Sequence, residues 1–304
     1  MRGVVSAGML TALEHLGYTD VFDAVYGSSA GSINCAYFLA RQSAYGTSIY
    51  YNDANCNSFI SWWRTFSSRP PMELDYLLYN IFLKVKVLDW QAALDSGIEF
   101  NILASSLDRN HSVVFNKFTD RDDIMLALKA SACIPWFAGK PIVINNERFV
   151  DASFFESIPY LTALKNNCTH LLVLRTRPYG SRRESVSLLE KLVLKNYFKN
   201  GDAAHYDYYI NSRSNKYNET IDSLETPTIA IDGYDAYVTS IAVKQPNSRV
   251  SQLEKDKNKL LKGAIAGYNC ILNTLGYDDI IPVDVISPFS TKGHTHGTTK
   301  RLAI

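Results

Sequence analysis

Apolar residues recur on a helical period at the start of the chain. Val5, Met9, Ala12, Leu13 and Leu16 share one face of a helix, and Gly17 stands where such a helix would stop. Short apolar runs then alternate with helical patterns. Strands are expected over residues 22–26, 101–104, 112–115, 141–144, 148–150, 171–174 and 228–231, and helices over 32–40, 122–132, 158–166, 185–199, 202–211 and 251–275. The pair Asn145-Asn146 between two strand patterns marks a hairpin turn. This alternation implies an α/β fold, with helices taking over toward the C-terminus. Residues 42–97 interrupt it. Ser61-Trp62-Trp63-Arg64 and Tyr76-Leu77-Leu78-Tyr79-Asn80-Ile81-Phe82-Leu83 are aromatic and apolar. They read first as a variable helical insertion packed on the sheet, and second as a cap that binds acyl chains or touches a membrane. Residues 289–304 are polar and read as a disordered tail.

Composition narrows the class only slightly. At 304 residues with 46% hydrophobic content, the chain can bury a large core. A net charge of +1 gives no reason to expect nucleic acid as a partner. No apolar stretch reaches the roughly 20 residues of a membrane span, so membrane contact would have to be peripheral. Cys35, Cys56, Cys133, Cys168 and Cys270 are scattered, odd in number and without a Cys-x-x-Cys pair. That argues against a disulfide framework or a zinc site and favours a reducing, cytoplasmic compartment. No metal and no cofactor is expected, and nothing in the sequence sets an oligomeric state.

The chemistry concentrates in Gly27-Ser28-Ser29-Ala30-Gly31, which fits G-x-S-x-G with Ser29 at the nucleophile position. A strand pattern precedes it and a helix pattern follows. Such a turn exposes the serine and aims helix N–H groups at the charge that develops when it attacks a carbonyl. The same residues also suit a plain small-residue turn, so the rest of the chain must decide.

A serine hydroxyl needs a base. His15 precedes the serine, His170 opens an apolar strand, and His294 and His296 lie in the polar tail; only His111 and His205 remain, with no supporting motif. Asp151, in Phe149-Val150-Asp151-Ala152-Ser153, is the better candidate because it follows a short apolar strand and has small neighbours. Its alternative role is to open a turn or cap the next helix. Asp202 and His205 sit at helical spacing without a third metal ligand, so a solvated helix face is favoured there.

Taken in order, these segments resemble the patatin-like phospholipases. Met1-Arg2-Gly3-Val4-Val5-Ser6-Ala7-Gly8-Met9-Leu10 is similar to the end of that family's glycine-rich opening and its first helix. Asp23 through Ser32 resembles its nucleophile segment, Lys129-Ala130-Ser131-Ala132-Cys133-Ile134-Pro135 its A-S-x-x-x-P segment, and Asp151-Ala152-Ser153 its Asp-Gly-Gly or Asp-Gly-Ala motif. The resemblance implies a three-layer α/β fold with a central, mostly parallel sheet flanked by helices. Residues 1–175 would form the catalytic core, with residues 176–288 as helical and strand additions. It implies a serine acyl hydrolase of lipid esters, with Ser29 as nucleophile and Asp151 as base in a dyad without histidine. Gly3 and Ala30 would be the oxyanion candidates. Its partners would be a lipid ester and, transiently, a membrane or lipid-droplet surface.

Two departures bear on this. The family's opening has an apolar strand and further glycines before the Arg2-Gly3 position, and loss of one oxyanion donor costs about 10²–10³ in rate. Ala152 stands where the family has glycine, and alanine would be strained if the backbone there needs positive φ. A catalytically impaired lipid-binding protein, a short isoform and a histidine-dependent esterase are the alternatives.

Overall fold

The computed structural model describes residues 1–52, 59–67, 69–199, 202–225, 229–230, 236–244 and 250–277. Cys56, the ends of the expected strand over 228–231 and the tail over 289–304 lie outside them. Strand β1 (Ala24–Ser28) runs parallel to β2 (Glu99–Ser106), with Ala24 opposite Glu99 and Ser28 opposite Leu103. The other neighbours of β2 are antiparallel: β3 (His111–Phe115), and β5 (Glu147–Val150) at Ser105 and Ser106. β4 (Ile142–Ile144) folds back on β5 through Asn145 and Asn146, which adopt φ of 50° and 64°. Positive φ at both central residues is what a tight hairpin turn of type I′ requires, and asparagine tolerates it.

A second sheet places β6 (His170–Leu174) parallel to β8 (Tyr237–Ile241), with β7 (Ile229–Ala230) antiparallel at its edge. The sheets are therefore mixed. Parallel pairing joins β1 to β2 and β6 to β8, and hairpin-like pairing supplies the rest. Among the described residues, the edge of β1 away from β2 and the edge of β6 away from β8 carry no strand, and both strands border one cavity.

Alternation along β6 sets the layers. Leu172 and Leu174 pack toward α1 (Val4–His15) and α10 (Lys257–Thr274), whereas Leu171 and Val173 pack toward α6 (Tyr160–Lys165) and α9 (Arg213–Leu224). Period two along a strand sends successive side chains to opposite faces, so helices cover both sides. The first sheet is covered by α2 (Ala30–Leu39) and α5 (Arg121–Ser131). The insertion joins the same core. It contains α3 (Ser43–Thr47), a π-helix over Tyr76–Val85 and α4 (Trp90–Leu94), and it buries Leu77, Leu78, Ile81 and Phe82.

The C-terminal half departs from the periodic pattern in two places. After α7 (Leu188–Tyr197), the helix expected over 202–211 divides into α8 (Ala203–Asp207) and a π-turn over Tyr208–Ser212, which runs straight into α9. α9 buries only Tyr217, Ile221 and Leu224, so its polar surface hides it in the sequence. β8 is similarly masked by Thr239 and Ser240 between its apolar residues.

α1 is buried continuously from Val4 to Leu13 because α10 lies directly across it. A Cβ on Gly8 would stand 2.0 Å from the carbonyl oxygen of Ala264, and one on Gly267 would stand 2.0 Å from that of Val5. The two backbones therefore touch, and only glycine fits. Gly267→Ala is expected to destabilise by about 1–3 kcal/mol through forced separation of the helices. The measurement is the urea midpoint, which should fall while the slope of the transition is unchanged.

Candidate active site

Ser29 sits between the end of β1 and the first residue of α2 with φ 55° and ψ −123°. A residue with a side chain rarely adopts this conformation, and holding it costs about 1–3 kcal/mol. The turn is as tight as it is strained. A Cβ on Gly27 would lie 2.3 Å from the Cα of Ser32, so position 27 has no room for a side chain. Ser32 closes the turn: its N–H and its hydroxyl both donate to the carbonyl of Ser29, at 3.0 and 2.6 Å. Ala30 and Gly31 open α2, where first-turn N–H groups have no acceptor within the helix.

Asp151 follows β5 and is buried, with 1% of its surface exposed. Its Oδ1 accepts the N–H of Ser153 at 2.8 Å, starting the short 3₁₀ turn Ala152–Phe154. The capping role read for it is real. Its other oxygen, Oδ2, is buried and has no hydrogen-bond partner, so the Ser29 hydroxyl does not donate to it in this structure. A buried carboxylate oxygen without a donor is costly unless something else occupies the site. Ala152 is not among the residues with positive φ, so alanine is unstrained there.

The segment after α5 braces both residues. Ser131 Oγ accepts the N–H of Ser29 at 2.9 Å, and the carbonyl of Cys133 accepts the N–H of Asp151 at 2.8 Å. Burial, reinforced by the charge of Asp151, pushes the Cys133 thiol up to about 12, so it stays protonated and inert. On the opposite side, Gly3 abuts Ala30: a Cβ on Gly3 would stand 2.6 Å from the Cβ of Ala30. The carbonyl of Gly3 accepts Asn34 Nδ2 at 2.9 Å, and Tyr50 donates to Asn34 Oδ1 at 2.9 Å. A buried polar network thus fixes the start of α1 against the start of α2.

Ser29, Asp151, Gly3 and Ala30 all line one cavity of about 410 Å³. Ser28 and Gly31 also line it, but the Ser28 hydroxyl is turned to the carbonyl of Glu156, 3.4 Å away. Phe59, Ile60, Met72, Leu74 and Leu77 give the cavity an apolar wall from the insertion. His111 and His205 do not border it. His205 Nε2 lies 2.9 Å from both the Leu107 carbonyl oxygen and Asn110 Oδ1, and Asp202 accepts from Arg148 at 2.8 Å, so both serve the packing of α8. His170 does border the cavity, and its Nδ1 is beside Thr169 Oγ1 at 3.1 Å.

A family model described as patatin-like phospholipase matches residues 1–164, more than half of the chain. The chain belongs to the patatin-like phospholipase family. No curated protein matches it. The family is generally one of hydrolases and points to lipid acyl esters as the substrate class. Among the described residues, no helix is long and apolar enough to cross a membrane.

Ser131 lies in the Ala-Ser-x-x-x-Pro motif, which by itself gives the residue no role. Its hydroxyl orders the turn that carries Ser29, a contact that depends on tertiary structure. Ser131→Ala is expected to leave the half-buried Ser29 N–H without this acceptor and to cost about 1 kcal/mol of stability. Thermal melting of the two proteins side by side tests this; equal midpoints would mean that the N–H finds another acceptor.

Proposed function

We propose that the protein is a serine acyl hydrolase that cleaves carboxylic ester bonds of lipids through Ser29 and Asp151. The observation that carries this reading is a strained, half-buried turn serine sharing a cavity with a buried carboxylate whose Oδ2 has no partner. Ser29 Oγ attacks the ester carbonyl as its proton passes to Asp151. The tetrahedral oxyanion is held by N–H groups at the start of α2, with Ala30 foremost and the Gly3 backbone beside it. The collapsing intermediate expels the alcohol or lysolipid, which takes the proton from Asp151. Water then attacks the acyl-enzyme, again giving a proton to Asp151, and the fatty acid leaves with Ser29 restored. Catalytic hydrogen bonds are often open before substrate binds, which fits the unpaired Oδ2.

The same unpaired Oδ2 is what a non-catalytic lipid-binding protein of this fold would show. Chemistry separates the two readings. Ser29→Ala and Asp151→Asn should each abolish hydrolysis of a short-chain ester, and the double variant should lose no more than either alone. A fluorophosphonate should label Ser29 alone, as mapped by peptide mass spectrometry. Labelling of Ser28 or Ser153 instead, or no labelling with intact folding, would overturn the assignment. Loss of labelling in His111→Ala or His205→Ala would favour a histidine base.

Contact with a lipid surface is part of the proposal. Leu188, Leu189 and Leu192 on α7 are 79, 74 and 68% exposed, and Lys191 and Lys195 stand on the same helix. Exposed leucines beside lysines suit the boundary of an anionic bilayer. Replacing all three leucines with glutamine should sharply reduce co-sedimentation with vesicles containing anionic lipid. Undiminished binding would move the contact to another surface.

A further inference from the structure

Among the described residues, the one hydrogen bond to the Asp151 carboxylate comes from Ser153, whose N–H reaches Oδ1 at 2.8 Å and leaves Oδ2 as the free edge. The backbone on either side of Ser153 is tied to the core. Asp151 donates its N–H to the Cys133 carbonyl, and Ser105 Oγ donates to the Ala152 carbonyl and accepts the N–H of Phe155, both at 3.1 Å. Ser153 itself receives a bond at its carbonyl from Ser157 Oγ, at 3.3 Å, within the same loop. Its other support comes from a distant part of the chain.

Arg213, the first residue of α9, donates from Nε to the Ser153 carbonyl and from Nη2 to the Ser153 hydroxyl, both at 2.8 Å. Two donors on one planar group fix the orientation of the residue they grip as well as its position. The guanidinium is itself seated, 4.3 Å from the centre of the Tyr209 ring, and the buried Tyr209 hydroxyl donates to Glu190 of α7 at 3.0 Å. Such a seat against a ring face locates the guanidinium and leaves its N–H groups free to donate in its plane. Next to Ser153, Phe154 packs on Tyr208 and Tyr209 with ring centres 5.5 and 5.6 Å apart. The aspartate loop is thus docked on the segment before α9 by an apolar contact, and the fork adds direction to a contact that packing already makes.

We propose that Arg213 is a positioning residue for the general base. By gripping the carbonyl and hydroxyl of Ser153, it holds the Ser153 N–H on Asp151 Oδ1 and so keeps Oδ2 turned toward Ser29. This rests on the hydrolase reading above and adds to it a residue outside the matched span of 1–164. With the fork gone, residue 153 turns and the carboxylate rotates out of line. Proton transfer requires the base within about 3 Å of the hydroxyl, so a small rotation lowers rate. In this role Arg213 touches Ser153 and not the ester, so substrate affinity is unaffected.

The test compares hydrolysis of p-nitrophenyl butyrate by the full chain, by Arg213→Met, Arg213→Lys and Ser153→Ala, and by the double variant Ser153→Ala with Arg213→Met. Thermal melting establishes that each is folded at the assay temperature. Arg213→Met should lower kcat by about 10- to 100-fold, the scale of a misplaced catalytic group, with KM within about threefold of the parent. Fluorophosphonate labelling of Ser29 should slow by a similar factor. Arg213→Lys, which keeps one donor, should fall between. Ser153→Ala keeps the carbonyl as acceptor and should lose less than Arg213→Met. The double variant should be no slower than Arg213→Met, because the hydroxyl acts through the fork. If Arg213→Met is unfolded, Arg213→Lys and Ser153→Ala carry the test, each with kcat down by about threefold or more at unchanged KM. Unchanged kcat in the folded variants would overturn the proposal. So would a raised KM with kcat kept, which would put Arg213 on the substrate, or losses that multiply in the double variant. A parent that neither cleaves the ester nor labels at Ser29 would overturn the hydrolase reading and this role with it. An active, labelled parent whose variants keep kcat would overturn this role alone.

Discussion

The candidate site depends on a turn too tight to hold a side chain on one flank. Gly27 lets the backbone of β1 pass against Ser32, and only this close passage lets α2 start immediately after Ser29. The strain of about 1–3 kcal/mol at Ser29 is borne by neighbours, not by the turn itself. Ser32 closes it from within, Ser131 takes its N–H from one side, and the Asn34–Tyr50 network fixes Gly3 against Ala30 on the other. The Asn34–Tyr50 bonds are buried and those of Ser32 and Ser131 partly so, so they are strong only while the surrounding core limits water.

Electrostatics then follow from burial. Among the described residues, Asp151 is the carboxylate that lines the cavity, and its buried Oδ2 faces no donor. The apolar wall from the insertion lowers the local dielectric and strengthens every interaction in the cavity. The cavity carries both polar and apolar lining residues, which suits an amphipathic molecule better than a wholly polar or wholly apolar one.

Much of this was legible in the sequence because the signals are local. The turn at Ser29 shows in its small residues, the hairpin in Asn145-Asn146, and the layering in alternating apolar runs. Asp151 was readable as the candidate acid, but its single bound oxygen was not, since that follows from how β5 meets the segment after α5. Ala152 illustrates the converse. Its departure from glycine looked costly, yet the backbone there stays at negative φ. The Arg213 brace was invisible because it comes from a helix that buries only three residues, with no spacing to link it to Ser153. The split of residues 202–211 was equally hidden, since a π-turn continues a helix without any break in composition.

The contact between Gly8 and Ala264 has a consequence for the order of events in folding. The family match ends at residue 164, but the helix that carries Gly3 is half covered by α10, whose residues begin at Lys257. In chain order the residues of the Ser29 turn come early and those of α10 come late. Until α10 arrives, one face of α1, from Val4 through Leu13, has no core to enter. The closing loop spans most of the protein, so that contact is entropically remote and forms slowly. Before that contact closes, the apolar face of α1 is uncovered, and an uncovered apolar face favours association with other chains as concentration rises. The segment that carries the family's motifs thus leaves one face of its first helix to be covered by residues far beyond it.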